Sequence, residues 1–259
     1  MKAAGIILAA GRGSRMRNLT EGHPKCMVAL AGKPLLHWQL RALRRAGINR
    51  ILVVRGYLAE CVQASVATGA FETAENPRWE RTNMLSSLLC ADEFVRKSFA
   101  LGVERLIVSY SDIVYYFGHV GALLSCPNDI AITYDTEWEA LWTLRFGDPL
   151  LDAETFRQEH GLLREIGGKP GSLADIQGQY MGLLSFNQVG WDIMTQLCAK
   201  LGEVVDKTDM TGFLRLLLSK SIEVGAVPVA GRWCEVDSGA DLQVYEKALE
   251  WRDWPHDWR

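Results

Sequence analysis

Apolar positions in the first half of the chain alternate between two rhythms. Ala3 to Leu8 is a near-continuous apolar run, the pattern of a strand buried on both faces. After it, Pro34 suits a helical first turn, Leu36, Leu40 and Leu43 fall at i, i+4 and i+7, and Gly47 ends the helix. Ile51 to Val54 predicts a second strand, 58 to 66 a helix and 71 to 75 a short third strand. Asn83 suits the cap of a helix with Leu85, Leu88 and Leu89 on one face, and 105 to 109 is another buried strand. Such alternation predicts an α/β fold, a mostly parallel sheet with helices on both faces.

Beyond residue 128 the texture changes. Strand-like runs at 130–134, 139–146, 161–166 and 179–187 are separated by Gly, Pro and Asp, suggesting a β-rich lid over a substrate. Helices over 188–200 and 210–219, strands at 222–227 and 233–236, and a last helix capped at Ser238 to Asp241 complete the pattern. The expectation is one domain over 1–259, with a core of about 1–128 and 220–259 and an inserted part of about 129–219. Repeats, low-complexity tracts and Pro/Gly/Ser-rich linkers are absent.

Composition narrows the partners. A net charge of −3 and a hydrophobic share of 48% describe a globular chain without a global attraction to nucleic acid, so phosphate-binding charge must be local. No stretch approaches the roughly 20 apolar residues that span a membrane, and the apolar N-terminus is too short for a signal core. A cytoplasmic protein acting on small molecules is expected. Cysteines at 26, 61, 90, 126, 198 and 234 form no Cys-x-x-Cys pair and have no His at ligand spacing, which fits reduced thiols.

The first strand opens into Ala9-Ala10-Gly11-Arg12-Gly13-Ser14-Arg15, where small residues let backbone N–H groups approach an anion beside two guanidinium groups. A solvated Gly-rich turn has the same composition. A dinucleotide-binding loop would need Gly where Met16 stands and an acid where Arg55 stands, and a P-loop would need Gly-Lys-Ser/Thr where Gly13-Ser14-Arg15 stands.

Leu8-Ala9-Ala10-Gly11-Arg12-Gly13-Ser14-Arg15-Met16 followed by Pro24-Lys25 resembles the signature of the sugar-phosphate nucleotidyltransferase superfamily. The resemblance implies its Rossmann-like fold, with Leu8, Ala10, Gly11, Gly13 and Ser14 around a nucleoside triphosphate. It also implies that Lys25 and Arg15 neutralise the reacting phosphates. On its own Lys25 reads as a surface lysine, and His23 needs no acid-base role.

Nucleotidyl transfer brings two anions together, so a hard cation held by carboxylates, Mg²⁺ above all, is expected. Asp112, directly after the strand at 105–109, and Asp237, after the strand at 233–236, are the candidates. Taken singly, each reads equally as a cap or turn residue; the resemblance makes them the metal pair. Glu235 competes for the second position, its orientation left open.

Segments along nearly the whole chain resemble bacterial choline-phosphate cytidylyltransferases and, more closely, cytidylyltransferases of phosphonates. They include Asn83-Met84-Leu85-Ser86-Ser87, Tyr110-Ser111-Asp112-Ile113, Trp138-Glu139-Ala140-Leu141-Trp142, Ile166-Gly167-Gly168-Lys169-Pro170 and Glu235-Val236-Asp237-Ser238. This implies transfer of CMP from CTP to 2-aminoethylphosphonate, 2-hydroxyethylphosphonate or phosphocholine, with Ala10, Asn83 and Ser87 beside the base. For the acceptor, Trp138 and Trp142 offer aromatic faces to a cation, and Asp135, Asp152 and Glu154 offer carboxylates to an ammonium. Arg145 suits the phosphonate or a pair with Asp148. Lys169 stands where the superfamily has a phosphate-contacting lysine, with Gly168 in place of the acid before it. The Trp pair also reads as ordinary packing, as do Trp251, Trp254 and Trp258, with a homodimer contact as the alternative for these last three. Two rivals remain, a sugar-1-phosphate nucleotidyltransferase and a non-catalytic nucleotide-sensing relative.

Overall fold

The structure is a computed structural model that describes residues 1–65 and 71–259. In chain order the elements are β1 (Ala3–Ala9), β2 (Ala29–Leu30), β3 (Lys33–Pro34), α1 (Leu35–Arg45), β4 (Arg50–Arg55), α2 (Ala59–Ser65) and β5 (Glu72–Glu75). There follow α3 (Met84–Leu89), α4 (Asp92–Ala100), β6 (Arg105–Tyr110), β7 (Ile113–Tyr115), α5 (Phe117–Leu124), β8 (Ile130–Asp135) and α6 (Trp138–Phe146). The chain closes with β9 (Phe156–Glu159), β10 (Leu162–Ile166), β11 (Gln179–Phe186), α7 (Gln188–Leu201), α8 (Met210–Ser219), β12 (Gly225–Val229), β13 (Trp233–Glu235) and α9 (Gly239–Ala248). Residue 66, the last of the helix expected over 58–66, lies outside the described residues.

A nine-stranded sheet in the order β5-β4-β1-β6-β11-β8-β12-β10-β9 forms the spine. It is mostly parallel: β11 and β10 run against the rest. The apolar run of β1 serves both faces, because successive side chains alternate. Ile7 and Ala9 join a core with Leu36 and Leu43 of α1, Leu123 of α5 and Tyr245 of α9. Ala4, Ile6 and Leu8 join a second core with Leu85 and Leu88 of α3, Trp191 of α7 and Phe213 of α8. No helix of the described residues is long and apolar enough to cross a membrane, and all six cysteines are free.

Several sequence expectations need correction. The strand expected at 139–146 is the helix α6: Trp138, Leu141 and Trp142 are its buried positions, at i, i+3 and i+4, and that helical period outweighs the apparent alternation. The strand expected at 222–227 begins at Gly225, because Ile222 N–H still bonds to Leu217 O at the end of α8. Strands β2, β3, β7 and β9 and helices α4 and α5 were not anticipated. The β-rich half contributes β8, β11 and β12 to the central sheet beside β6, and β9 and β10 form its edge.

Candidate nucleotide-binding site

The chain runs from β1 outward to β4 and β5, then returns to the other flank of β1 as β6. That reversal leaves a crevice at the carboxyl ends of β1 and β6, where doubly wound sheets bind ligands. The cleft there is lined by Leu8, Ala10, Gly11, Gly13, Ser14 and Arg15 on one side, Asn83, Met84 and Ser87 on another, and Lys25 and Asp112 at its floor. Every loop, base-side and lysine position expected from the sequence therefore meets in one place.

Local chemistry explains the loop's course. Tyr57 pins both of its ends: its N–H donates to Ala10 O at 2.9 Å, and its hydroxyl donates to Thr20 O at 2.9 Å. Gly56 permits this approach, since a Cβ there would lie 2.7 Å from Ala10 O and 2.8 Å from Trp79 Cβ. Gly13 is left-handed at φ +71°, and a Cβ on it would lie 2.8 Å from Lys25 Cβ. Both the backbone conformation and the close packing thus call for glycine. Between its anchors the loop turns into a short 3-10 helix, Ser14–Thr20.

The floor is assembled by a small antiparallel ladder. β13 pairs with β7 so that Glu235 faces Ile113, and Val236 N–H donates to Asp112 O at 2.8 Å. The buried Gln39 of α1 holds the β6–β7 turn by donating to Tyr110 O at 2.9 Å and Ile113 O at 2.6 Å. Asp112, Glu235 and Asp237 each present a carboxylate oxygen, and these lie within 4.8 Å of one another. The capping alternative for Asp237 falls away, because Ser238 and Asp241 form the capping box of α9 and leave its side chain to the floor. Glu235, which the sequence left open, belongs to the cluster, since residues i and i+2 of a strand share a face.

Lys25 Nζ bridges two of these acids, 2.8 Å from Asp112 Oδ2 and 2.5 Å from Asp237 Oδ1. Arg15, largely exposed, reaches Asp237 Oδ2 at 3.2 Å. Burial disfavours the Lys25 ammonium, but Asp112 and Asp237 outweigh it and hold its pKa well above the ordinary lysine range. Burial acts to raise Asp237 too, yet Lys25, Arg15 and Arg145 keep its carboxyl below the usual value. Glu235 goes the other way: burial, reinforced by Asp237, pushes it up to about 7 against the pull of Arg145. The site therefore carries clustered carboxylates and side-chain cations side by side. Asp112 Oδ1 is buried without a hydrogen-bond partner, and the donors are all hard oxygens, so these residues fit a hard divalent cation.

The acceptor-side candidates sit elsewhere, and none of them lines this cleft. Trp138 and Trp142 are buried in the core, their rings 6.2 Å apart, with Trp142 packed on Trp233 at 6.1 Å. They are packing residues, not open aromatic faces. Asp135 is likewise fully buried, accepting from Trp233 Nε1 and Gly231 N–H at 2.8 Å each. Arg145 does not pair with Asp148. Its guanidinium, 1% exposed, pairs with Glu235 at 2.9 Å, Asp241 at 3.2 Å and Asp237 at 3.6 Å, which makes it a buttress of the carboxylate floor. Asp152, Glu154 and Lys169 are exposed. The segments that carry Glu154 and Lys169 are pinned together by Thr155 N–H to Gly168 O at 2.8 Å and Gly168 N–H to Thr155 Oγ1 at 3.0 Å. Partial desolvation of its carboxyl, then Asp209 and Asp152, raise Glu154 against the pull of Arg215.

Trp79, Thr82 and Ser111 also line the cleft and were not anticipated. Trp79 is set by an edge contact with Tyr57 at 5.2 Å, a long-range pairing without a local sequence signal. Thr82 and Ser111, next to Asn83 and Asp112, were within reach of the sequence reading. Asn83 does both things expected of it, capping α3 by accepting from Met84 N–H while lining the cleft.

A glycine loop at a switch point, a buried lysine and a carboxylate cluster define the class of nucleotide-binding transferases. Residues 5–166 match the MobA-like NTP transferase domain, and the chain belongs to that family. The CTP:phosphoglutamine cytidylyltransferase of Campylobacter jejuni is 36% identical over 251 residues, covering 92% of this chain and 97% of its own. The 2-aminoethylphosphonate cytidylyltransferase of Lancefieldella rimae is 37% identical over 115 residues, covering 44% of this chain and 47% of its own. Among solved structures, the inositol-1-phosphate CTP transferase of T. maritima has the same fold at a TM-score of 0.72 and 17% identity, covering 96% of this chain and 97% of that one.

Proposed function

We propose that this chain is a cytidylyltransferase that moves CMP from CTP to a phosphoryl or phosphonyl oxygen of a small acceptor, releasing pyrophosphate. The observation that carries this reading is the convergence of Lys25, Asp112 and Asp237 at the floor of a cleft walled by the glycine loop. The full-length likeness to a phosphoglutamine cytidylyltransferase supports cytidine as the base. It also adds phosphoglutamine to the candidate acceptors, beside phosphocholine, 2-aminoethylphosphonate and 2-hydroxyethylphosphonate. Most of these carry a nitrogen-bearing head group, and the carboxylates of Asp152, Glu154 and Asp209 are candidates to pair with the positively charged ones.

In this reading the acceptor oxygen attacks the α-phosphorus, a new P–O bond forms, and the bond to the β-phosphate breaks with its electron pair leaving on pyrophosphate. An anionic acceptor needs no general base, so the residues act by position and charge. Lys25 stays protonated throughout and turns from the carboxylates to the α-phosphate as nucleotide enters. Arg15, exposed and paired only at the rim of the floor, turns with it. Gly11 to Ser14 offer backbone N–H groups to the β- and γ-phosphates. Arg145 fixes Glu235 and Asp237 from below. A Mg²⁺ ion held by Asp112, Glu235 and Asp237 would offset charge on the phosphate oxygens.

A matrix of four nucleoside triphosphates against phosphoglutamine, phosphocholine, the two phosphonates and hexose 1-phosphates, read by pyrophosphate release, tests the reading. CTP with one of the phosphoryl or phosphonyl acceptors is the expected strongest cell. Turnover confined to hexose 1-phosphates would establish a sugar nucleotidyltransferase instead, and nucleotide binding without any turnover would establish a sensor.

A further inference from the structure

The base-side wall of the cleft, residues 76–87, is held from within and from outside. From within, the buried Asn76 donates to Thr82 Oγ1 at 2.9 Å and Ser87 Oγ at 3.0 Å. From outside, one residue of the second half of the chain takes hold of it at several points, beside a longer bond from Ser86 Oγ to Val205 O at 3.4 Å. Asp206, in the 3-10 turn Gly202–Lys207 before α8, receives a bidentate pair from Arg78, at 2.6 and 3.1 Å. Its Oδ1 also accepts from Ser86 Oγ at 2.9 Å, and its main-chain carbonyl accepts from Asn83 N–H at 2.8 Å. Hydrogen bonds from Arg78 and Ser86 keep the Asp206 carboxyl below the usual range.

Arg78 and Ser86 flank Trp79, Thr82, Asn83 and Met84, which line the cleft. Arg78 is 61% exposed, and an exposed ion pair alone contributes little. Here the carboxylate also satisfies the hydroxyl of the buried Ser86, and the same residue accepts from an N–H at the start of α3, where helices leave donors unpaired. None of these contacts reaches Lys25 or the carboxylate floor.

We infer that Asp206 is a positioning residue for nucleotide recognition: it sets the base-side wall against the glycine loop, so it controls the affinity for CTP and the discrimination between bases, not the chemical step. This rests on the reading that CTP occupies the cleft. The wall is thereby tied to the segment leading to Asp209, which caps α8 by accepting from Gly212 N–H at 2.7 Å and whose charge reaches Tyr110 and Glu154.

The test compares wild type, Asp206→Ala, Asp206→Asn, Arg78→Gln and the Asp206→Ala/Arg78→Gln double variant by calorimetric CTP binding, steady-state kinetics and melting. Asp206→Ala is expected to raise both Kd and KM for CTP by about 5- to 20-fold while kcat and the acceptor KM stay within about threefold. Its preference for CTP over UTP should shrink. Asp206→Asn should fall between it and wild type, and the double variant should be no worse than Asp206→Ala, since both act through one contact. A fall in kcat with CTP affinity unmoved, or no change in either, overturns the inference. Should Asp206→Ala fail to fold, Arg78→Gln decides: a rise of about two- to fivefold in CTP Kd is expected, and an unchanged value overturns it. Failure of the wild-type protein to bind CTP would instead refute the function on which the inference rests.

Discussion

Lys25 Nζ lies 2.5 Å from Asp237 Oδ1 across 212 residues of sequence, and the same ammonium reaches Asp112 Oδ2 at 2.8 Å. Lys25 and the carboxylate floor are thus one electrostatic unit. In the proposed function, the charge that would meet phosphate is held beforehand by the acids that would hold a cation.

Removing that charge should have two separable effects. Lys25→Met is expected to lower kcat/KM by about a thousandfold, in the range seen when a preorganised charge is lost. It also removes the ammonium between Asp112 and Asp237 and leaves only Arg15 and Arg145 beside Asp237, so the variant should melt below wild type without divalent cation and recover on adding Mg²⁺. Melting curves with and without Mg²⁺ check this, and a variant as stable as wild type without metal would contradict the bridge's role.

Gly13→Ala tests the loop alone. The side chain would be strained at φ +71° and would press on Lys25 Cβ. The expected outcome is a loss of about 1–3 kcal/mol in stability or transition-state binding, read as melting and kcat/KM for CTP.

Arg145→Met replaces the guanidinium between Glu235, Asp237 and Asp241 with an apolar chain. Breaking a buried ionic cluster by removing one partner should cost about 3–5 kcal/mol in urea unfolding. If Arg145 instead bound the acceptor, the variant would keep its stability and lose only acceptor KM.

His119 supplies the pH dependence. It is buried on α5, where burial and then the charge of Arg232 lower its pKa from 6.5 to about 4. A histidine depressed in the folded state contributes stability that is fully present above pH 6.5 and is lost as pH falls towards 4. Between pH 7 and pH 5 this amounts to about 2 kcal/mol. His119→Leu should lose about that much less than wild type over the same interval, measured by urea unfolding at each pH; identical slopes would remove His119 as the cause.

In the first half, β1, β4 and β6 were legible because both of their faces are buried, and α1 because its apolar positions keep a 3.6-residue period; the short strands β2, β3 and β7 and helices α4 and α5 were not. The site loop and Lys25 were legible because Gly13 and the Pro24-Lys25 step follow the first strand in a recognisable order. What failed was local reading in the inserted half. Trp138 to Phe146 has apolar residues dense enough to suit either period, and burial of Trp138, Leu141 and Trp142 on one helical face in the core goes with the helix. Arg145 was assigned to the acceptor because its partners, Glu235 and Asp241, lie about a hundred residues away and are joined to it only by the β7–β13 ladder and the α9 cap. Asp206 has no motif at all; its meaning exists only in the folded wall it holds.

The central claim is that Lys25, Asp112 and Asp237 form the reaction floor of a cytidylyltransferase. Its most direct test is pyrophosphate release from CTP with the best acceptor of the matrix, comparing wild type with Asp112→Asn and Asp237→Asn under saturating Mg²⁺. Wild type should turn over only with divalent cation, and each variant should lose at least about a hundredfold with CTP binding retained. Turnover within about threefold of wild type in both variants would contradict that claim.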